Sequence, residues 1–510
     1  MSQRQTAVGN NEGNEIFAGN DDGLAKIQNF EGKYPKQLWA LFFSEMWERF
    51  CFYGMRGMLT IFMVEKLLLS EKDANLRYGA IQAFVYAFTF IGGLFADKVL
   101  GFRKSLVWGA LLMIAGSFTV AAAPENLFYI GTCLTIVGTG FFKPNISTMV
   151  GALYRSDDAR RDAGFGLFYS GINIGAFLGG ILMVMVGKYY SWSIAFSLAG
   201  IVMIISMITF ILTKKNLGPI GLSPLEKVPE GKRKTYEIAV YIGSLLVLPI
   251  VWLLVTNTAY TDMFMYIIGP VTLIYLFMEM RKYSSVERNK LLAALVFIIF
   301  SILFWAFFEQ SGGSLSLFAL YNLHHSFFGI NLDPNVVNNS ANSVFVIIFS
   351  PIAGLIWVAL AKKKLEPNTV VKFGLGFVFL ALAFWVFFYS RNFADANGLT
   401  SLEIFTLAYF VITFGELCLS PIGLSIMTKL APKPMQGLMM GMWFLASAYG
   451  QYVAGLLGAG MATADENAPL TDKLIAYTDG YKQLAIYALV AGLVLLIISP
   501  LVRKLMHEVK

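Results

Sequence analysis

Fourteen apolar runs, each reaching the roughly 20 residues a helix needs to cross a hydrocarbon core, follow one another along this chain of 510 residues. They lie near positions 37–68, 76–97, 104–123, 126–150, 162–186, 191–213, 236–256, 262–281, 290–312, 337–361, 368–390, 401–430, 436–462 and 480–506. Backbone in lipid must satisfy its own hydrogen bonds, so runs of this length have to be helices. The fold class is therefore an all-α integral membrane protein. Composition agrees: only 14% of residues are charged and mean hydropathy is +0.63, against about a quarter charged in soluble domains. The three cysteines, Cys51, Cys133 and Cys418, sit inside apolar runs, which speaks against a disulfide framework.

Lysine and arginine set the orientation. With the N-terminus inside, 29 of the 39 fall in inner segments and 7 in outer ones. A miscount of one span would destroy that asymmetry. The bias predicts both termini in the cytoplasm of a cell with this protein in its inner membrane, and it explains the net charge of +7 without nucleic acid. Residues 1–36 are polar and lack the apolar stretch of a secretory signal; they are expected to form a disordered cytoplasmic tail. The remaining units are a six-helix bundle at 37–213, a cytoplasmic linker at 214–235, an inserted hairpin of spans 7 and 8 at 236–281, and a second six-helix bundle at 290–510.

A charge at the bilayer centre costs about 2.5–3.5 kcal/mol even on lenient scales, so one retained there is functional by default. Seven lie well within spans, away from the span ends: Glu45, Glu48, Arg49 and Arg56 on span 1, Lys143 on span 4, Glu309 on span 9 and Glu416 on span 12. On span 1 the positions 45, 48, 49, 52, 53 and 56 recur at intervals of three and four, which places them on one stripe of a helix. Four acids against three bases leave one carboxylate without a cation. The three histidines, His324, His325 and His507, lie outside the spans, so any proton carrier within the membrane has to be a carboxylate. Without an intramembrane histidine or Asp pair, a membrane protease has no catalytic constellation, and no soluble domain is present to make the chain a receptor.

The turn after span 2, Gly92–Lys104, carries glycines for close helix approach and Asp97 and Arg103 to pair or cap helix ends. It resembles the signature loop of the major facilitator superfamily, and a weaker echo follows span 10 at Pro351–Lys364. The run Glu45-Met-Trp-Glu48-Arg49-Phe50-Cys51-Phe52-Tyr53-Gly54 resembles the span 1 motif of the proton-dependent oligopeptide transporter (POT) family, with Phe52 where a tyrosine is usual. Phe142–Asn145, Gly166–Gly175, Phe304–Gln310 and Gly415–Pro421 resemble that family's motifs in spans 4, 5, 9 and 12. Asn342 resembles its span 10 asparagine, although Ser343 replaces the following proline.

The resemblance implies a major facilitator fold of twelve helices in two bundles, plus the hairpin, with a midplane site. It implies a symporter of di- and tripeptides driven by the proton gradient, with no cofactor and no metal. Arg56 and Lys143, helped by Tyr53, would receive the peptide carboxylate and Glu416 the ammonium. Asn173 and Asn342 would bond backbone amides, and Tyr86, Trp305, Trp443, Phe308 and Ser420 would line the pocket. Glu45, Glu48, Arg49 and Glu309 would couple protons, with Arg56–Glu309 and Lys143–Glu416 as pairs across the cavity. The rival expectation is the same fold carrying nitrate, an amino-acid derivative or a peptide-like drug.

Overall fold

The computed structural model describes residues 21–155, 158, 160–419, 423–463, 465 and 467–509. Among the described residues every apolar run is helical. Spans 1 to 6 are Lys36–Glu65, Glu71–Phe95 (extended by a π-helical turn Ala96–Leu100), Phe102–Ala122, Pro124–Ala152, Arg160–Tyr189 and Trp192–Thr213. Span 7 is Glu230–Leu246 continued by Leu248–Thr256, and span 8 is Thr258–Met280. Span 9 is Ser285–Phe308, a 3-10 turn Glu309–Gly312 and a further helix Ser314–Tyr321; spans 10 and 11 are Pro334–Lys362 and Thr369–Tyr389. Span 12 is Leu402–Leu419 with Gly423–Leu430 beyond it, span 13 is Gln436–Met461 and span 14 is Leu470–Met506. Among the described residues, twelve helices are long and apolar enough to cross a bilayer. Spans 1 and 13 are not among those twelve; span 1 carries its charge stripe and span 13 is rich in glycine.

Two large apolar cores form, one centred on spans 1–6 and joined by Val240, Val251 and Val255 of the hairpin, the other centred on spans 9–14 and joined by its Leu276 and Met280. In the first, span 1 packs on spans 5 and 6, and span 4 on spans 2 and 3; in the second, span 14 packs on spans 9 and 11, and span 13 on span 9. Between bundles the principal contacts are span 2 with span 13 and span 5 with span 10. Glycines permit the first of these: a Cβ on Gly79 would stand 2.7 Å from the Gly455 Cα. The hairpin lies against spans 2 and 4, with Met265 among Ala83, Ala448 and Tyr452, and contributes no member of the intramembrane charge set.

Three expectations need correction. The tail expected to be disordered is ordered from residue 21: Asp21–Gln28 is a helix whose Leu24 and Ile27 are buried, and Gln28 Nε2 donates to the carbonyls of Ala152 (3.1 Å) and Tyr154 (3.4 Å). Its apolar face is too short to stand out in sequence. Residues 1–20 lie outside the described residues. Span 9 does not stop at 312; it bends there and continues to Tyr321. Asp97 and Arg103 do not pair. Arg103 instead donates to the carbonyls of Ile220 (2.7 Å) and Gly218 (2.5 Å) in the linker, because Gly101, at φ +75°, turns the chain toward Leu222.

Candidate functional site

The stripe on span 1 faces inward. Glu45, Glu48 and Arg49 are at most 2% exposed, and their helix is held close to span 5 by Gly175, where a Cβ would strike the Met46 carbonyl. Arg49 lies 3.1 Å from the Glu45 carboxylate and also pairs with Glu48. Its guanidinium stacks over Phe52, 5.0 Å from the ring centroid. The residue that replaces the family's tyrosine is thus a π-face between two cations, since Lys143 Nζ lies 5.6 Å from the same ring and 4.1 Å from that of Tyr86.

Two turns along span 1, Arg56 reaches across to the other bundle and pairs with Glu309. It also donates to Tyr78 Oη at 2.7 Å and Ser311 Oγ at 2.8 Å, and its guanidinium lies 5.7 Å from the Tyr53 ring. Glu309 opens the 3-10 turn of span 9, where freed backbone groups need new partners. Neighbouring spans supply two of them, Thr60 donating to the Gly312 carbonyl and Asn338 to that of Ser311 (2.8 Å), while Gln310 of the turn itself donates back to Ala306 (3.0 Å) and across to Ala454 of span 13 (3.1 Å). The break thereby holds a carboxylate inside the span, opposite Arg56.

Glu416 takes neutral donors. Tyr169 Oη on span 5 reaches one oxygen at 3.2 Å, and Asn342 Nδ2 on span 10 reaches the other at 2.9 Å. Thr413 donates to Asn342 Oδ1 (2.8 Å), which fixes the amide orientation. The expected Lys143–Glu416 pair does not form; Lys143 rests on aromatic faces and Glu416 is the carboxylate left without a cation.

Of the other expected site residues, Asn173 is buried and spends a donor on its own helix, at the Tyr169 carbonyl (3.0 Å). Trp305 packs edge-on against Phe304 and Phe308 and covers Gly450 of span 13. Trp443 is buried on span 13, and Ser343 is buried in an unbroken stretch of span 10. Ser420 lies outside the described residues. Sequence reasoning assigned no role to Tyr169, Tyr78 or Ser311. Tyr169 stands one turn before Asn173 and Tyr78 two turns before Tyr86, so helical spacing from the chosen residues would have found both tyrosines.

The two faces of the protein differ. On the far face, where span 1 ends, Lys188 of span 5 bonds Asp333 (2.7 Å) and Asn335 (3.0 Å) at the head of span 10, and Tyr189 donates to Asp333 (2.6 Å). Burial would raise the Asp333 carboxyl, but Lys188, Tyr189 and the Asn335 amide hold it below the ordinary aspartate value. In mirror fashion Glu71 of span 2 takes Lys473 (2.5 Å) and Tyr477 of span 14. On the near face, no residue of span 10 from 347 to 362 is buried. The far face is clamped shut.

The family model described as PTR2, POT family, matches residues 103–474. The chain belongs to the POT family. A peptide transporter of Yersinia enterocolitica is 35% identical over 85% of this POT-family chain and 89% of its own length. A dipeptide and tripeptide permease B of Aeromonas hydrophila is 31% identical over 93% of this chain and 94% of its own. Among solved structures, a peptide transporter POT in complex with sulfate matches with a TM-score of 0.80 at 32% identity, covering 95% of this chain and 98% of that one. A POT family transporter in complex with 5-aminolevulinic acid matches at 0.79 and 29%, covering 94% and 99%. The fold is that of the major facilitator superfamily with the extra hairpin, and the chain is a multi-pass membrane protein.

Proposed function

We propose that this POT-family chain is a proton-coupled symporter that takes di- and tripeptides into the cell by alternating access. The observation that carries the reading is the Arg56–Glu309 pair joining the two bundles. A zwitterionic peptide needs a cation at one end and an acid at the other. Arg56 and Lys143, with Tyr53, supply the first, and Glu416, held only by neutral donors, supplies the second. Variable side chains then meet Tyr86, Trp305 and Trp443, while Asn173 and Asn342 face the peptide backbone.

Protonation of Glu309 removes the partner of Arg56, and a peptide carboxylate takes its place. Proton and peptide therefore bias one two-state element. Glu45, Glu48 and Arg49 form the second proton-responsive group. The Lys/Arg asymmetry supports an inner-membrane location with both termini cytoplasmic, and the proton gradient is the only energy source required. The relatives named as peptide transporters and dipeptide and tripeptide permeases support the substrate class.

The neighbour bound to 5-aminolevulinic acid favours a second reading in which the substrate is a related amino-acid derivative. Uptake of labelled dialanine into proteoliposomes under an imposed pH gradient, with and without an uncoupler, tests the proposal. Accumulation that collapses with the uncoupler and is competed by dipeptides supports it. Uptake competed only by another solute class sinks it.

A further inference from the structure

A cavity of about 490 Å³ opens on the near face, between the first turns of spans 3 and 7 and the linker that joins the first bundle to the hairpin. Its rim is basic: Arg103, Lys104, Lys214 and Arg233 line it, with Glu226 the acid among the lining residues. Behind the rim, one carboxylate serves two cations, because Glu237 Oε1 lies 2.6 Å from Lys104 Nζ and 3.8 Å from Arg233 Nε. Arg233 Nε is buried and makes no hydrogen bond. Four cations thus stand against two carboxylates. Two helix N-termini, at Phe102 and Glu230, begin beside the cavity, and such ends favour an anion.

The floor is of another kind. Val107, Trp108, Leu111 and Tyr241 lie one to two turns deeper along the same two helices. Trp108 and Tyr241 pack at 4.7 Å between centroids, and Trp108 Nε1 is tied to Ser244 Oγ at 3.0 Å. A basic rim at the helix ends above an apolar, aromatic floor one to two turns in matches one ligand chemistry, a phosphodiester with an attached acyl chain. Basic pockets between membrane helices hold anionic headgroups in this way. A free phosphate would use the rim and leave the floor empty.

We propose that this cavity binds an anionic phospholipid of the near-face leaflet, with its phosphate on Lys214 and Arg233 and an acyl chain along Trp108 and Tyr241. The lipid joins the hairpin to the first bundle at the point where the linker crosses.

The purified full chain in detergent is titrated with phosphatidylglycerol, with phosphatidylcholine of the same chains, and with inorganic phosphate, while thermal unfolding is followed. Phosphatidylglycerol is expected to raise the Tm by about 4 °C at concentrations where the other two do almost nothing. The Lys214→Gln/Arg233→Gln double variant is expected to lose most of that shift. Equal shifts from both lipids, or an undiminished shift in the variant, overturn the proposal. A shift reproduced by phosphate alone overturns the lipid reading in favour of a soluble-anion site. If the double variant does not fold, fluorescence decides. Brominated phosphatidylglycerol should quench wild type more than Trp108→Phe, and brominated phosphatidylcholine should not make that distinction. Identical quenching of both proteins by both lipids removes the site.

Discussion

Arg56 of span 1 and Glu309 of span 9, 253 residues apart in sequence, form an ion pair that joins the two bundles. Removing one partner from a buried pair leaves an orphan charge, at a cost of about 3–5 kcal/mol, so each residue's substitution reports on the other.

Glu309→Gln should abolish accumulation driven by a pH gradient while exchange of internal for external peptide persists, because exchange needs no net proton release. Arg56→Ala should lower both by at least about tenfold, the worth of roughly 1.4 kcal/mol. Accumulation and counterflow are measured on the same reconstituted protein. Near-normal accumulation by Glu309→Gln would mean that the pair with Arg56 only holds the bundles together and carries no proton.

Glu416→Gln keeps the shape and removes the charge. Binding of free-amine dipeptides should weaken about tenfold, in line with the roughly 1.5–3 kcal/mol of a hydrogen bond to a charged group, and binding of N-acetylated dipeptides far less. Isothermal titration of both ligands checks this, and equal losses would exclude an ammonium role.

The far-face clamp should be insensitive to mild acid. Asp333 has its carboxyl held below the ordinary aspartate value in the closed arrangement. Its contribution is therefore fully present above the ordinary value and is lost only as pH falls through the depressed one. Spin-label distances between the far ends of spans 5 and 10 should not change from pH 7.5 to 5.5, whereas Asp333→Asn should lengthen them at both. A wild-type opening between those two pH values that disappears in Asp333→Asn would make Asp333 a proton sensor after all.

Gly79→Val places a branched side chain where even a Cβ comes within 2.7 Å of Gly455 Cα. Both partners are backbone, so neither can yield. The variant should disfavour far-face closure, and a cysteine introduced at Ala459, buried one turn beyond Gly455 on span 13, should react with maleimide several-fold faster than in the Gly79 background. Unchanged reactivity would show that the helices accommodate the change by shifting.

The amino-acid sequence was enough for the solvent, the helices and the identity of the buried charges. Lipid leaves the backbone no alternative to helix, and three- and four-residue spacing is enough to put Glu45, Glu48, Arg49, Tyr53 and Arg56 on one face. It also determined that one carboxylate would lack a cation. The tertiary structure alone decided which one: Glu416, because Lys143 is turned onto the rings of Phe52 and Tyr86 while Tyr169 and Asn342 close around the acid. Periodicity fixes the face of a helix but not its rotation or depth against helices hundreds of residues away. Those are set by packing, such as the glycine crossing of spans 2 and 13. For the same reason Lys188 and Lys473, which read in sequence as outer-loop charges, are the halves of two interlocking clamps only because folding brings Asp333 and Glu71 opposite them.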